Sequence, residues 1–362
     1  MTAPATRPGV LTTPTYVPGD RLIDGVTAPI KLSSNESPHG PGTRAIAAYR
    51  ALAPELYRYP DGGQTELRAA VAQVHGLDPN RLIFGNGSDE LIQMLNRAYV
   101  GLGDEVVTSQ HSFVMCRSHA LAQGATVLTA PEPDYRVSVD ELLRLVTQRT
   151  KLVTLASPNN PCGTYLPGPE LARLHRSLPG HIILLVDAAY SEYATDPDYD
   201  NGLTLARTAD NVLVTRTFSK LYGLAALRIG WGFSAPAIIE ALEHVRSPFN
   251  VNAPAQAAAA AAVRDLEHAA YVRNYNARER ARVSAACRGL GLQVVRSSAN
   301  FVLIVFQDPG RDAERAHAHL LSRGIIPRPV GGTPANSLRI TIGLESENDA
   351  MLLALAEFVA QT

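Results

Sequence analysis

The 362-residue chain is poor in cysteine, in surplus charge and in long apolar runs, and each shortage removes a class of protein. Its three cysteines, Cys116, Cys162 and Cys287, lie far apart, with no CxxC pair. That pattern gives neither a disulfide framework nor a metal site, and free thiols suit a reducing compartment. The 33 basic and 34 acidic residues leave a formal net charge of −1. Such a balance carries no electrostatic footprint for nucleic acid. No stretch of about 18 residues is apolar enough to span a bilayer. The run Ala253 to Val263 is rich in alanine, but it is short and weakly apolar, and it reads as a buried helix. The opening MTAPATRPGVLTTPTYVPGD has no charged segment followed by an apolar core. It reads as a Pro/Thr-rich arm rather than a signal peptide. Neither a membrane nor a nucleic acid is an expected partner, and the cytoplasm is the expected location. No internal repeat or low-complexity tract interrupts the chain.

What is present is ordinary globular composition, 46% apolar and 19% charged, over a length that suits one large domain and a smaller one. After the arm, strand-like and helical segments alternate. RLIFG (81–85), EVVTS (105–109), ATVLTA (125–130), KLVTLA (151–156), IILLVD (182–187) and NVLVTR (211–216) read as strands. Helices are expected over 88–100, 112–123, 139–146 and 169–178 between them. Near-continuous apolar strands suit a sheet buried on both faces, and the alternation predicts an open α/β sheet. Beyond this the texture changes. Residues 265–290 read as one long charged amphipathic helix. Short strands near 293–296, 301–306 and 338–342 and helices near 311–323 and 346–360 follow. The expected division is an arm (1–30), a large domain (31–260) and a smaller α+β C-terminal domain (261–362), with the N-terminal segment packing against the last.

Ligands of open α/β sheets bind beyond the carboxyl ends of the strands. Four segments stand at such ends: GNGSDE (85–90), SPNNPCG (157–163), DAAYSEY (187–193) and TFSKLYGLAALRIGW (217–231). GNGSDE leads into a helix, whose free N–H groups and dipole make an anion site, although Ser88 could simply cap that helix. A dinucleotide site fits poorly, because Glu90 replaces the third glycine of GxGxxG. Asp187 ends an apolar strand, where a carboxylate is costly without a cation. A pyridinium N–H would be such a partner, and a helix cap or a structural ion pair is the ordinary alternative. Tyr190, three residues on, is close enough to serve the same ring, or it is a buried hydroxyl satisfied by backbone. A lone lysine is usually solvated. Lys220, however, is flanked by Phe218, Leu221, Tyr222 and Leu224, which favours a lowered pKa and a nucleophilic neutral amine able to form an imine. Arg228 with Ser219 could hold phosphate oxygens, or Arg228 could form a surface ion pair.

These residues, together with KLSSNESPHGP (31–41), RYPDG (58–62), SPFNVNAPAQAAA (247–259), SSANFVLI (297–304), GIIPRP (324–329) and LRITIG (338–343), carry a family resemblance. From about residue 14 to the C-terminus the chain resembles the fold-type I, class I/II aminotransferases that use pyridoxal 5′-phosphate (PLP). Within them it is most similar to the histidinol-phosphate branch. The resemblance implies that Lys220 binds the cofactor covalently and later moves the proton between Cα and C4′. It implies that Asp187 pairs with the ring nitrogen, that Asn160 and Tyr190 bond the ring 3-oxygen, and that Phe113 stacks on the ring. Ser88, Asp89, Ser219 or Thr217, and Arg228 hold the phosphate, and Tyr59 reaches the phosphate of a partner subunit in a homodimer. Arg339 binds the substrate carboxylate, Arg328 is a second site arginine, and Tyr16 and Asn35 close over the substrate. For Arg328, a surface position between Pro327 and Pro329 is the ordinary alternative.

The implied reaction is transamination between L-histidinol phosphate and 2-oxoglutarate, in histidine biosynthesis. An aromatic amino acid aminotransferase, a threonine-phosphate-type decarboxylase and a binding protein without turnover are the competing readings. Three departures from the family pattern stand out: Ala188 in DAAY, Cys162 in PNNPCG and Cys116 in SFVMCRS. Cys116 falls where an aromatic often sits and is expected to alter the substrate side-chain pocket.

Overall fold

A computed structural model describes residues 4–11, 13–308 and 310–361. The described residues form 13 strands and 12 α-helices. A seven-stranded sheet contains β2 (Leu82–Gly85), β3 (Glu105–Ser109), β4 (Thr126–Ala130), β5 (Thr150–Ala156), β6 (Ile183–Asp187), β7 (Val212–Thr217) and β8 (Gly230–Phe233), in the order β2-β8-β7-β6-β5-β3-β4. Only β8 runs against its neighbours. The other six share one direction, so their carboxyl ends open on one edge.

Helices α1 (Thr43–Ala51) and α2 (Thr65–His75) precede this sheet. Its strands alternate with α3 (Ser88–Tyr99), α4 (Val114–Ala122), α5 (Val139–Arg144), α6 (Gly168–Ser177) and α7 (Leu203–Thr208), and α8 (Pro236–Val245) follows it. Side chains alternate across the strands with period 2, so each strand feeds two cores. Phe84, Val107, Val153, Leu184, Val186 and Val214 face one core, with α2, α5 and α6. Ile83, Val106, Leu152, Leu185 and Leu213 face the other, with α3, α4 and α8. This two-sided burial explains why β6 and β7 read as near-continuous apolar runs. The alanine-rich run becomes α9 (Ala253–Arg264), capped by the Asn252 side chain on the Ala255 amide at 2.8 Å. Its small side chains let it lie against α1 and α2, and Ala255, Ala258 and Ala259 are fully buried.

The 24-residue α10 (Leu266–Gly289) leads into a four-stranded antiparallel sheet. It comprises β9 (Gln293–Val295), β10 (Phe301–Val305), β12 (Arg328–Pro329) and β13 (Ser337–Thr341), ordered β12-β13-β10-β9. With α11 (Ala313–Ser322) and α12 (Glu345–Gln361) it closes a separate core that includes Val302, Ile304, Leu338 and Leu355. The N-terminal strand β1 (Ile30–Lys31) pairs in parallel with β11 (Ile325–Ile326), and Leu32 enters this same core. No helix among the described residues is long and apolar enough to cross a membrane.

The sequence pattern did not reveal β8. Its Gly-Trp-Gly-Phe is short and has no β-branched residue, and two glycines ordinarily weaken a strand. Packing explains them. A Cβ on Gly230 would lie 2.5 Å from the Ser88 amide nitrogen and 2.6 Å from the Gly87 carbonyl carbon. Only glycine lets β8 pass the start of α3 so closely. Gly230→Ala is therefore expected to cost about 1–3 kcal/mol, as overpacking does. Equilibrium urea unfolding measures it, and wild-type stability would contradict the close approach.

Candidate active site

A cavity of about 1030 Å³ opens beyond the carboxyl ends of β5, β6 and β7, between the large sheet and β13. Its wall contains Ser88, Asp89, Phe113, Asn160, Asp187, Tyr190, Thr217, Ser219, Lys220 and Arg228, with Tyr16, Asn35, Arg328 and Arg339 on the opposite side. Of the residues that the resemblance assigns to the cofactor or the substrate, Tyr59 alone is not in this wall. Its ring is 83% exposed and stacks on Phe249 at 4.8 Å between centroids.

Asp187 is the last residue of β6 and is buried. Its side chain has no ion-pair partner among the described residues; Thr215, opposite it on β7, donates to Oδ1 at 3.0 Å. Burial pushes the carboxyl pKa up to about 6, aided by the charge of Asp89 and opposed by the Thr215 bond. Lys220 sits in the turn after β7, with Nζ 3.3 Å from the Ser34 carbonyl and 5.6 Å from the centre of the Tyr190 ring. Burial lowers its pKa to about 8, and the Arg339 and Arg228 charges push the same way against Glu36 and Asp187. The cavity thus holds a buried amine of lowered pKa and a buried carboxyl of raised pKa with no ion-pair contact, an arrangement typical of chemical sites.

The segment GNGSDE, expected to bind an anion, leads directly into α3. Gly87, at φ 81°, is the N-cap of α3, and no side chain caps the first turn. Ser88 is the first helical residue and not the cap, so it does not satisfy the free amides. Arg228, itself left-handed at φ 54°, lays its guanidinium across this end. It donates to the Ser219 hydroxyl at 3.2 Å and to the Asn86 carbonyl at 3.4 Å. Helix amides, a hydroxyl and a guanidinium around one space are what a phosphate requires. The Asp89 carboxylate turns instead to His119, 3.0 Å away, and Thr217 Oγ1 accepts from the Ser219 amide at 3.1 Å.

On the opposite wall Arg339 projects from β13. It donates to Asn160 Oδ1 and, at 2.7 Å, to the Ser33 carbonyl. Its Nε is buried without a partner. Asn35, at φ 54°, donates to the Tyr190 hydroxyl at 2.9 Å and accepts from Thr341 Oγ1 at 3.1 Å. Burial raises the Tyr190 pKa. Arg328, paired across the strands with Arg339, reaches the Val17 carbonyl at 2.7 Å, which ties the arm near Tyr16 to the cavity.

Some participants carried no local signal. Thr215 is one threonine in an apolar strand until β6 and β7 pair. Phe301 lies under both Arg339 and Tyr190. Glu132 is buried beside the Asn159–Asn160 turn. Cys116 does not face the cavity as expected; it is buried in the core beneath α4, on the side toward Asp187 and Asp89. No cluster able to hold a metal ion occurs among the described residues.

Comparison with known proteins agrees with this geometry. Residues 27–355 match the family described as aminotransferase class I and II, and the chain belongs to that family. The histidinol-phosphate aminotransferase of Paramagnetospirillum magneticum is 49% identical over 361 residues, 99% of each chain. That of Rhodospirillum centenum is 47% identical over 361 residues, again 99% of each chain. Among solved structures, the histidinol-phosphate aminotransferase of Sinorhizobium meliloti, in complex with pyridoxal 5′-phosphate, superposes with a TM-score of 0.86 at 31% identity, covering 94% of this chain and 92% of that one.

The chain has only three lysines, Lys31, Lys151 and Lys220, so amine labelling resolves each by mass spectrometry. Lys220 in the cofactor-free protein is expected to be half-reactive at a pH of about 8. A half-point at the ordinary lysine value would contradict the desolvated environment.

Proposed function

We propose that this aminotransferase uses PLP to transfer the amino group of L-histidinol phosphate to 2-oxoglutarate, giving imidazole acetol phosphate and L-glutamate, a step of histidine biosynthesis. The observation that carries the reading is the cavity that gathers Lys220, Asp187 and the Arg228 anion site on one wall and Arg339 on the other. The full-length likeness to histidinol-phosphate aminotransferases supports the substrate.

The residues present fit PLP. Asp187 has a buried carboxylate without a cation, and a protonated ring nitrogen would supply one. The uncapped start of α3, Ser88 and Asp89 through their amides, Ser219 and Arg228 would hold the phosphate, with Thr217 supporting the Ser219 turn. Tyr190 and Asn160 would bond the ring 3-oxygen, and Phe113 would cover a ring face. Bound there, PLP supplies an electron sink for the pair released at the substrate Cα. Lys220 would anchor it and would move the proton between the substrate Cα and C4′ as base and then acid. Asp187 keeps a proton on the ring nitrogen. Arg339, with its unpartnered Nε, binds the carboxylate of glutamate or 2-oxoglutarate in one half-reaction and the phosphate of histidinol phosphate in the other. Arg328, Tyr16 and Asn35 close the cavity over the substrate.

We also assign the enzyme to a homodimer and to the cytoplasm. Leu56, Tyr57, Tyr59 and Phe249 are exposed apolar residues between 45% and 83% accessible, a surface suited to a second copy. Tyr59 would reach the cofactor phosphate of that copy. Sedimentation of the holoenzyme at monomer mass would exclude the dimer.

Lys220→Ala is expected to reduce transamination by about two to four orders of magnitude, the range of a lost general base. Asp187→Asn should cost about two to four orders in kcat, since breaking a buried charge pair costs about 3–5 kcal/mol. Steady-state assays with histidinol phosphate, phenylalanine and tyrosine as donors check both variants and the substrate together. A preference for phenylalanine over histidinol phosphate would move the enzyme to the aromatic group. PLP affinity is expected to fall as the pH drops through about 6, because Asp187 then takes up a proton and loses its charge. Fluorescence titration at several pH values reads this, and affinity flat across that range would show that Asp187 does not pair with the ring.

A further inference from the structure

Glu132 lies just beyond β4, 5% exposed, with no ion-pair partner among the described residues. Its carboxyl group accepts from amides, and the Ser109 hydroxyl also favours its charged form. Oε1 accepts from the His111 backbone at 3.1 Å and from Asn159 Nδ2 at 3.2 Å, and Oε2 accepts from Asn159 Nδ2 at 3.3 Å. The Glu132 amide in turn donates to Gln110 Oε1 at 3.3 Å. One side chain thus ties together the segment before Phe113 and the turn that carries Asn160. Asn159 is fully buried, and its turn is tight: its amide donates to the Thr164 carbonyl at 2.6 Å, and its own carbonyl accepts from the Gly163 amide at 2.7 Å. The next residue, Asn160, meets Arg339 across the cavity.

A buried carboxylate at a site where an apolar residue would pack more cheaply needs a compensating use. We infer that Glu132 is a positioning residue, which fixes the Asn159–Asn160 turn so that Asn160 holds the Arg339 guanidinium in the orientation that binds the substrate anion. Glu132 touches neither cofactor nor substrate, and its effect passes through Asn159. Sites of this kind need their supporting groups to hold the contacting groups within fractions of an ångström. The inference rests on the aminotransferase reading above.

The test uses the PLP-loaded enzyme and the variants Glu132→Gln, Asn159→Ala and the double variant. Glutamine at 132 presents an amide N–H where Oε2 accepted from Asn159. Each single variant is expected to raise KM for 2-oxoglutarate about five- to tenfold, the effect of one lost buried hydrogen bond. We expect kcat to stay within about threefold and the cofactor to remain bound, because Lys220 and Asp187 are untouched; the double variant should be no worse than the more affected single one, as in a double-mutant cycle of coupled residues. A wild-type KM in the variants, a loss confined to thermal stability, or effects that multiply in the double variant would each overturn the role. If Glu132→Gln does not fold, Asn159→Ala alone decides by the same KM criterion. A wild type that ignores histidinol phosphate sinks only the donor assignment, since the 2-oxoglutarate KM is then measured with the amino acid it accepts.

Discussion

A buried carboxylate with no cation of its own, Asp187, is the constraint on which the rest of the site depends. Ionised groups leave water only at high cost unless something else takes over their solvation. Here one threonine hydroxyl does part of that task. Asp187 and Thr215 stand side by side only because β6 and β7 are parallel and in register. The same pairing delivers the turn after β7, with Lys220, to the same edge. Sheet register and site chemistry are therefore one fact seen at two scales.

The counterweight comes from the other sheet. Arg339 on β13 and Asn35 after β1 reach the cavity from a separate core and bond to Asn160 and Tyr190 on the large-sheet side. Positive charge from Arg339 and Arg228 helps lower the pKa of the Lys220 amine. Residues that would bind anions thus also tune the nucleophile. The cost falls on local geometry: Asn35 and Arg228 both adopt positive φ at this cavity, a strained backbone of the kind common at functional sites.

The glycines and alanines read as punctuation in the sequence turn out to set distances. Gly230 admits the start of α3 to β8, and the alanines of α9 admit α1 and α2. Their use lies in what approaches them, which is why β8 was not legible in a Gly-Trp-Gly-Phe segment while β6 and β7 were plain.

The sequence by itself determined the alternation of buried strands and helices, the motifs at the strand ends, and the identity of the chemical groups. Apolar periodicity and strand-end chemistry are local and survive in one dimension. Only the tertiary structure decided which groups meet. It set Thr215 against Asp187, placed Glu132 behind Asn159, turned Cys116 into the core and away from the cavity, and left Tyr59 on the surface. Those outcomes depend on register, on which face of α4 is buried, and on contacts between segments that are separate in the chain. No local pattern in the chain encodes such distances, because they arise only when the two cores close around one cavity.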